Sequence, residues 1–295
     1  MICYIINIYM KIASFTQNND IDIGIVDNSF LIPIKKIDPS LNIDMISLIE
    51  NWNKISKIIN GNIKNSVYKI PISNLKLHQP IDKPSKIFAM GLNYLDHMKE
   101  VGIKKPNRQL WFSKQVNTLS GPFDTILLPK VSKQVDYEVE LVAIIGKKGK
   151  HIKYENAHNY IFGLCIGNDV SVRDWQMSTS QWMIGKSFDT HGPIGPYITT
   201  LDEVVNPHNL GIRSYVNGEI RQNSNTSNLI YNIWKQIAYL SQAITLEVGD
   251  LIFTGTPSGV GFAMKPPIYL KNGDIVKCEI DKLGYIENKF INEDI

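Results

Sequence analysis

Cysteine is scarce in this chain of 295 residues: Cys3, Cys165 and Cys278 are odd in number, far apart and without metal-ligand spacing. Such a set argues against a disulfide framework and a zinc knuckle, and it points to a reducing, intracellular compartment. Excess charge is lacking as well. A net charge of +3, with Lys and Arg dispersed, supplies no field for nucleic acid or an anionic membrane. Long apolar runs are missing: residues 1–9 are apolar but far too short to cross a bilayer, and no charged region precedes them as in a signal peptide. Met10 offers a second start. No internal repeat is present. The loop GDLIFTGTPSGVG has no P-loop lysine, which disfavours nucleotide binding.

The apolar content that is present suffices for a packed core. KIASF, IGIVD and SFLIPI read as short strands, the first two joined by the polar turn QNND. Residues 44–59 carry a mainly helical apolar spacing. Together they predict a small N-terminal α+β unit over 1–80, ending at the polar, proline-containing IDKPSK, with a second unit over 81–295. A strand at 87–92 runs into a helix of about two turns, for which Asn93 is the predicted N-cap and Gly102 the stop. Residues 229–241 form an amphipathic helix in which Trp234 is core.

Chemistry concentrates in DYEVELVAIIGKK. Glu138 and Glu140 bracket Val139, so a strand's period of two turns both carboxylates to one face. Alone, a Glu-x-Glu is ordinarily a solvated strand face. The run at 141–145, however, suits a strand buried on both sides. A buried acid pair needs a cation, and oxygen ligands at this density suit Mg²⁺, Mn²⁺ or Ca²⁺. Asp169, where a second buried strand leaves the sheet, is a turn residue by default and a third metal ligand in the functional reading. Arg173 and Gln176 are either a surface pair or a grip on a substrate carboxylate. Lys186, between Gly and Ser, is either a solvated surface lysine or the ammonium that would draw an anionic substrate toward three acids. His97 and Glu100 stand three apart on a helix, either an exposed pair or a general-base dyad. Thr254, Gly255 and Thr256 form a carboxylate cradle or a plain tight turn.

GLNYLDHMKE, DYEVELVAIIGKKGKHI, GNDVSVRDWQ, GKSFDTHGPIGP, VNGEIRQNSNT, GDLIFTGTPSGVG and KPPIYLKNGD occur in one order and spacing. In that set the chain resembles the fumarylacetoacetate hydrolase family over about residues 85–290, and within it the type-two domain-containing proteins of mitochondria, described as oxaloacetate tautomerases. The resemblance implies an α+β fold with a mixed β-roll, a homodimer, and Mg²⁺ or Ca²⁺ on Glu138, Glu140 and Asp169. It implies a lid dyad of His97 and Glu100, an active-site Lys186, and substrate contacts from Arg173, Gln176 and Thr254. The expected reaction is enol–keto tautomerisation of oxaloacetate, a 2-oxo acid. Acylpyruvate-type C–C hydrolysis and oxaloacetate decarboxylation are the alternatives, since all three pass through an enolate. By resemblance the compartment is the mitochondrial matrix. The first residues lack the Arg-rich amphipathic character of a transit peptide, which leaves the cytoplasm as the other expectation.

Overall fold

The apolar run at 141–145 lies in the strand Val139–Ile145, the middle of a mixed sheet, in a computed structural model that describes residues 10–17, 20–63, 66–102 and 107–294. This strand is antiparallel to Ile161–Asn168 on one side and to Leu251–Phe253 on the other, and every residue in it is buried. Its two-residue period sorts the side chains into two cores. Val139, Leu141, Ala143 and Ile145 pack with Ile212, Val276 and Phe290 of a second sheet and with Ile233 and Ile237 of the helix Ile233–Ala243. Val142 and Ile144 face the other way, toward Leu48, Ile55 and Ile59 of the helices Met45–Glu50 and Trp52–Asn62. Each such burial stabilises by about 1.5–3 kcal/mol, which explains why the run has no polar interruption after Glu140.

The large sheet has twelve strands among the described residues. Its path runs from the N-terminal strands through Gly192–Thr200, Ile161–Asn168, Val139–Ile145, Leu251–Phe253 and Ile87–Gly91 to Leu110–Lys114. The second sheet has five strands in the order Glu219–Asn225, Gly211–Val216, Ile275–Ile280, Gly284–Asn292 and Ile126–Leu128. With few and short helices this is the expected α+β roll of mixed sheets.

Lys11–Gln17, Asp20–Asp27 and Phe30–Pro33 match the three N-terminal strands read from sequence. They continue the large sheet, with Lys11 opposite Thr199. Residues 1–9, with Cys3, lie outside the described residues, as do Asn18 and Asn19 of the QNND segment expected from sequence to turn. The helical stretch at 44–59 is two helices, broken at Asn51, with Asp44 capping the first through Ser47 N–H. The helix expected from 229 starts at Ile233, because Asn232 caps it through Lys235 N–H.

Asn93 does not cap the helix Leu95–Val101; its neighbour Tyr94 holds that position without a side-chain bond. The Asn93 amide is used elsewhere, donating to Tyr231 O and Thr254 O and accepting from Tyr231 N–H. A fully buried amide gains more from three tertiary bonds than from one cap. Gly102 ends the helix as expected, at φ +69°.

Candidate metal and substrate site

Strand register builds an acidic centre at one end of the large sheet. Val139 pairs with Asn168, so Glu138 and Asp169, one residue beyond each, meet: Asp169 N–H donates to Glu138 O at 2.9 Å. Glu138 therefore precedes the strand rather than lying inside it. Glu138, Glu140 and Asp169 each offer a carboxylate oxygen, these atoms lie within 4.8 Å of one another, and all three residues are buried.

Buried like charges demand compensation. Lys186, 1% exposed, donates to Glu138 Oε2 at 2.8 Å and to Asp169 Oδ2 at 2.7 Å. Gly185 permits this placement, since a Cβ there would lie 2.2 Å from the Gln176 backbone nitrogen. Arg173 donates to Glu138 Oε1 at 2.7 Å and, through Nε and Nη2, to Asp136 Oδ2 at 2.9 and 2.7 Å. Its fork is thus engaged by protein carboxylates, and the burial of Arg173 and Gln176 corrects the reading of the two as a surface pair. Gln176 Oε1 accepts from Arg173 Nη1 at 2.9 Å. Both side chains nonetheless line the cavity above the acids.

Lys114 was not singled out from sequence. It is buried, donates to Asp169 Oδ1 at 2.7 Å, and also bonds Lys186 O. The only signal was a lysine closing the apolar strand Leu110–Lys114, a pattern ordinarily met at a solvated strand end. Asp136 was equally overlooked. Its carboxylate accepts from Arg173 and from the N–H groups of Tyr137, Gly261 and Phe262.

These contacts divide the acids. Burial opposes ionisation of Glu138, but Lys186 and Arg173 outweigh it and hold the carboxyl at about 2. Burial raises Glu140 well above the usual carboxylate range, and the charges of Asp169 and Glu138 add to it. Its hydrogen-bond partner among the described residues is Gly255 N–H, at 2.7 Å, with no cationic side chain bonded to it. Burial pulls the Lys114 ammonium down from its ordinary value while Asp169 acts against that. Asp136, Glu138 and Asp169 are therefore matched by Lys114, Arg173 and Lys186, and Glu140 is left as an acid without a counter-ion. An all-oxygen donor set with one uncompensated carboxyl fits a hard divalent cation.

The loop after Leu251–Phe253 does present N–H groups to carboxylates, but to this protein's own. Gly255 binds Glu140, Gly259 binds Glu100 Oε1 at 2.9 Å, and Gly261 and Phe262 bind Asp136. Gly255 is required at φ +110°, where a Cβ would also lie 2.7 Å from Asn93 Cβ. Thr254 is fully buried with its hydroxyl donating to Leu141 O at 2.9 Å, so it ties two strands together and does not line the cavity. Thr256 lines it instead.

His97 Nδ1 lies 2.9 Å from Glu100 Oε2, so the helical pair is formed, and His97 faces the same cavity as the acids. That cavity holds about 220 Å³, with Glu138, Glu140 and Lys186 among its polar lining and Phe112, Trp182 and Phe262 among its apolar walls. A larger cleft of about 840 Å³, beside Val135 and Leu270, contains none of the three clustered acids.

Fold and site together define a mixed-sheet protein with a buried, cation-seeking acid cluster under a small cavity. The family model described as "Fumarylacetoacetate (FAA) hydrolase C-terminal" matches residues 86–291, and the chain belongs to the fumarylacetoacetate hydrolase family. It is 42% identical over 269 residues to a mitochondrial oxaloacetate tautomerase of Rattus norvegicus, spanning 91% of this chain and 84% of that protein. A fumarylacetoacetate hydrolase domain-containing protein 2 homolog of Dictyostelium discoideum is 45% identical over 281 residues, spanning 90% of each chain. Among solved structures, a maleylpyruvate hydrolase from a Sphingobium species, in complex with manganese(II) and pyruvate, superposes with a TM-score of 0.82 at 31% identity, over 97% of this chain and 100% of that one. The fumarylacetoacetate hydrolase of Exiguobacterium antarcticum gives 0.87 at 32% identity, over 96% and 100%.

Proposed function

We propose that the protein is a divalent-metal-dependent enzyme acting on an enolisable 2-oxo acid, and that its reaction is the enol–keto tautomerisation of oxaloacetate. The observation that carries this reading is Glu140, a buried carboxyl beside two others with no cationic side chain bonded to it among the described residues. Glu138, Glu140 and Asp169 would hold the ion, with Mg²⁺ the proposed one and Ca²⁺ or Mn²⁺ accepting the same ligands. When bound, such an ion supplies electrophilic stabilisation of negative charge on a 2-oxo acid.

The chain's own groups do the rest. Lys186, whose pKa Asp169 and Glu138 raise against the effect of burial, stays protonated and adds positive charge to the cavity floor. Glu100 orients His97 through Nδ1, which leaves Nε2 to take a proton from the carbon next to the keto group and return it. Gln176, its Oε1 held by Arg173, keeps its amide NH₂ for a substrate oxygen. Phe112, Trp182 and Phe262 limit water around the developing charge.

The oriented His97–Glu100 pair also favours a second reading, hydrolysis of acylpyruvate-type diketo acids, in which the same base would activate water. Decay of enol-oxaloacetate followed by ultraviolet absorbance, beside product release from an acylpyruvate, separates the two. Tautomerisation is expected to be much the faster. Efficient cleavage with negligible tautomerisation would reverse the order. The relatives named mitochondrial support the mitochondrial matrix as the proposed compartment. The proposed assembly is a homodimer, to be read from light scattering.

A further inference from the structure

Of the three buried cations at the site, Arg173 and Lys186 line the cavity and each bond two acids, whereas Lys114 does neither. Its ammonium is nevertheless fully enclosed, on Asp169 Oδ1 and on the carbonyl of Lys186. Burying a lysine this way is costly, and a hydrogen-bonded Asp169 could have been obtained from a neutral donor. The positive charge itself therefore calls for an account.

Four buried acids converge here: Asp136, Glu138, Glu140 and Asp169. Three buried cations answer them: Lys114, Arg173 and Lys186. On the proposed reading, a divalent ion joins this set, and the loaded centre then carries one net positive charge. That charge matches the single carboxylate of a 2-oxo acid head. Without Lys114 the loaded centre would be neutral, and an anionic head would enter a buried site with nothing left to compensate it.

We infer that Lys114 is a positioning and charge-setting residue that weakens metal binding in order to favour the anionic substrate. The trade follows from sign. A cation beside Asp169 repels an incoming ion and attracts an incoming carboxylate, and both effects act at short range in a buried site where salt screens little. Phe112, two residues earlier on the same strand and hence on the same face, lies with its ring centroid 5.1 Å from the Lys186 ammonium. One strand thus steadies both lysines.

The inference rests on the proposed metal site, and the test keeps the two apart. Mg²⁺, and then pyruvate at saturating Mg²⁺, are titrated calorimetrically into the full-length wild type, Lys114→Met, Lys114→Gln and Lys114→Arg, with circular dichroism to confirm the fold. Failure of the wild type to bind Mg²⁺ would refute the metal reading itself. Given that binding, the neutral variants are expected to bind Mg²⁺ more tightly and pyruvate more weakly, each by about tenfold for the loss of one nearby charge. Lys114→Arg should stay near wild type in both. If Met does not fold, the contrast between Gln and Arg carries the same information. A purely structural lysine would give losses of Mg²⁺ and pyruvate affinity in parallel, and that result, or no change in either, overturns the inference.

Discussion

At the scale of single residues, Glu140 is the group whose environment is least comfortable, because burial and two neighbouring carboxylates all oppose its charge. A carboxyl with a raised folded pKa makes no difference at pH values below its ordinary 4.5, where folded and unfolded chains both hold the proton. Above that, the unfolded chain loses the proton first, so stability falls until the folded pKa is passed. Metal-free Glu140→Gln should therefore melt above metal-free wild type at neutral pH, and the two curves should merge in acid. Thermal melts in chelator across pH check this, and a variant that melts lower at neutral pH would speak against the assigned burden. Glu138 behaves oppositely: its ion pairs contribute fully above its ordinary value of 4.5 and are lost as pH falls toward about 2. Glu138 and Glu140 are legible because Glu-x-Glu before an apolar run is chemically odd, whereas Asp169 reads locally as a turn residue and stands out only beside that pair. Lys114 and Asp136 were not legible, since a lysine at a strand end and an aspartate before a tyrosine look ordinary until tertiary contacts enclose them. Thr254 and Thr256 both donate their hydroxyls to the central strand, to Leu141 O and Val139 O, and only Thr256 lines the cavity, a difference that no local pattern reveals.

Among the elements, the short helix Leu95–Val101 carries the proposed base, His97, and it is fastened at Glu100 to the loop at Gly259. Hydrolysis needs a positioned base to activate water, whereas in tautomerisation solvent can stand in for His97 in removing and returning the proton once the enolate is stabilised. His97→Ala should lower acylpyruvate cleavage by about 10²–10⁴-fold, the usual contribution of a general base, and lower enol-oxaloacetate decay by a smaller factor. Paired assays on the variant decide it; equal losses in both reactions would assign His97 the same proton step in each. The helix itself was legible from its end, where Gly102 supplies a left-handed residue, but not from its start. Asn93 reads as a cap in sequence because nothing local reveals that Tyr231 and Thr254, 138 and 161 residues away, compete for its amide.

For the whole molecule, strand patterns were legible and their pairing was not, because the alternation that marks a strand says nothing about its neighbour. The extension of the large sheet by Lys11–Gln17, Asp20–Asp27 and Phe30–Pro33 is a consequence of Lys11 meeting Thr199, a pairing between distant segments. We propose that residues 1–80 and 81–295 are two units that share this sheet, with Trp52 edge-on to Phe162 at 5.1 Å joining them. A chain cut at an engineered protease site between the exposed Asp82 and Lys83 should then elute as one particle and keep its Mg²⁺ binding; separation of the pieces would contradict the shared sheet. The central claim, that Glu138, Glu140 and Asp169 hold a catalytic divalent ion, is tested most directly by calorimetric Mg²⁺ titration of wild type and Glu140→Gln, with enol-oxaloacetate decay measured on the same samples. The wild type is predicted to bind one ion per chain and to lose its activity in chelator, while folded Glu140→Gln binds no ion and has no activity. Wild-type activity that survives chelation, or Mg²⁺ binding unchanged in Glu140→Gln, would contradict it.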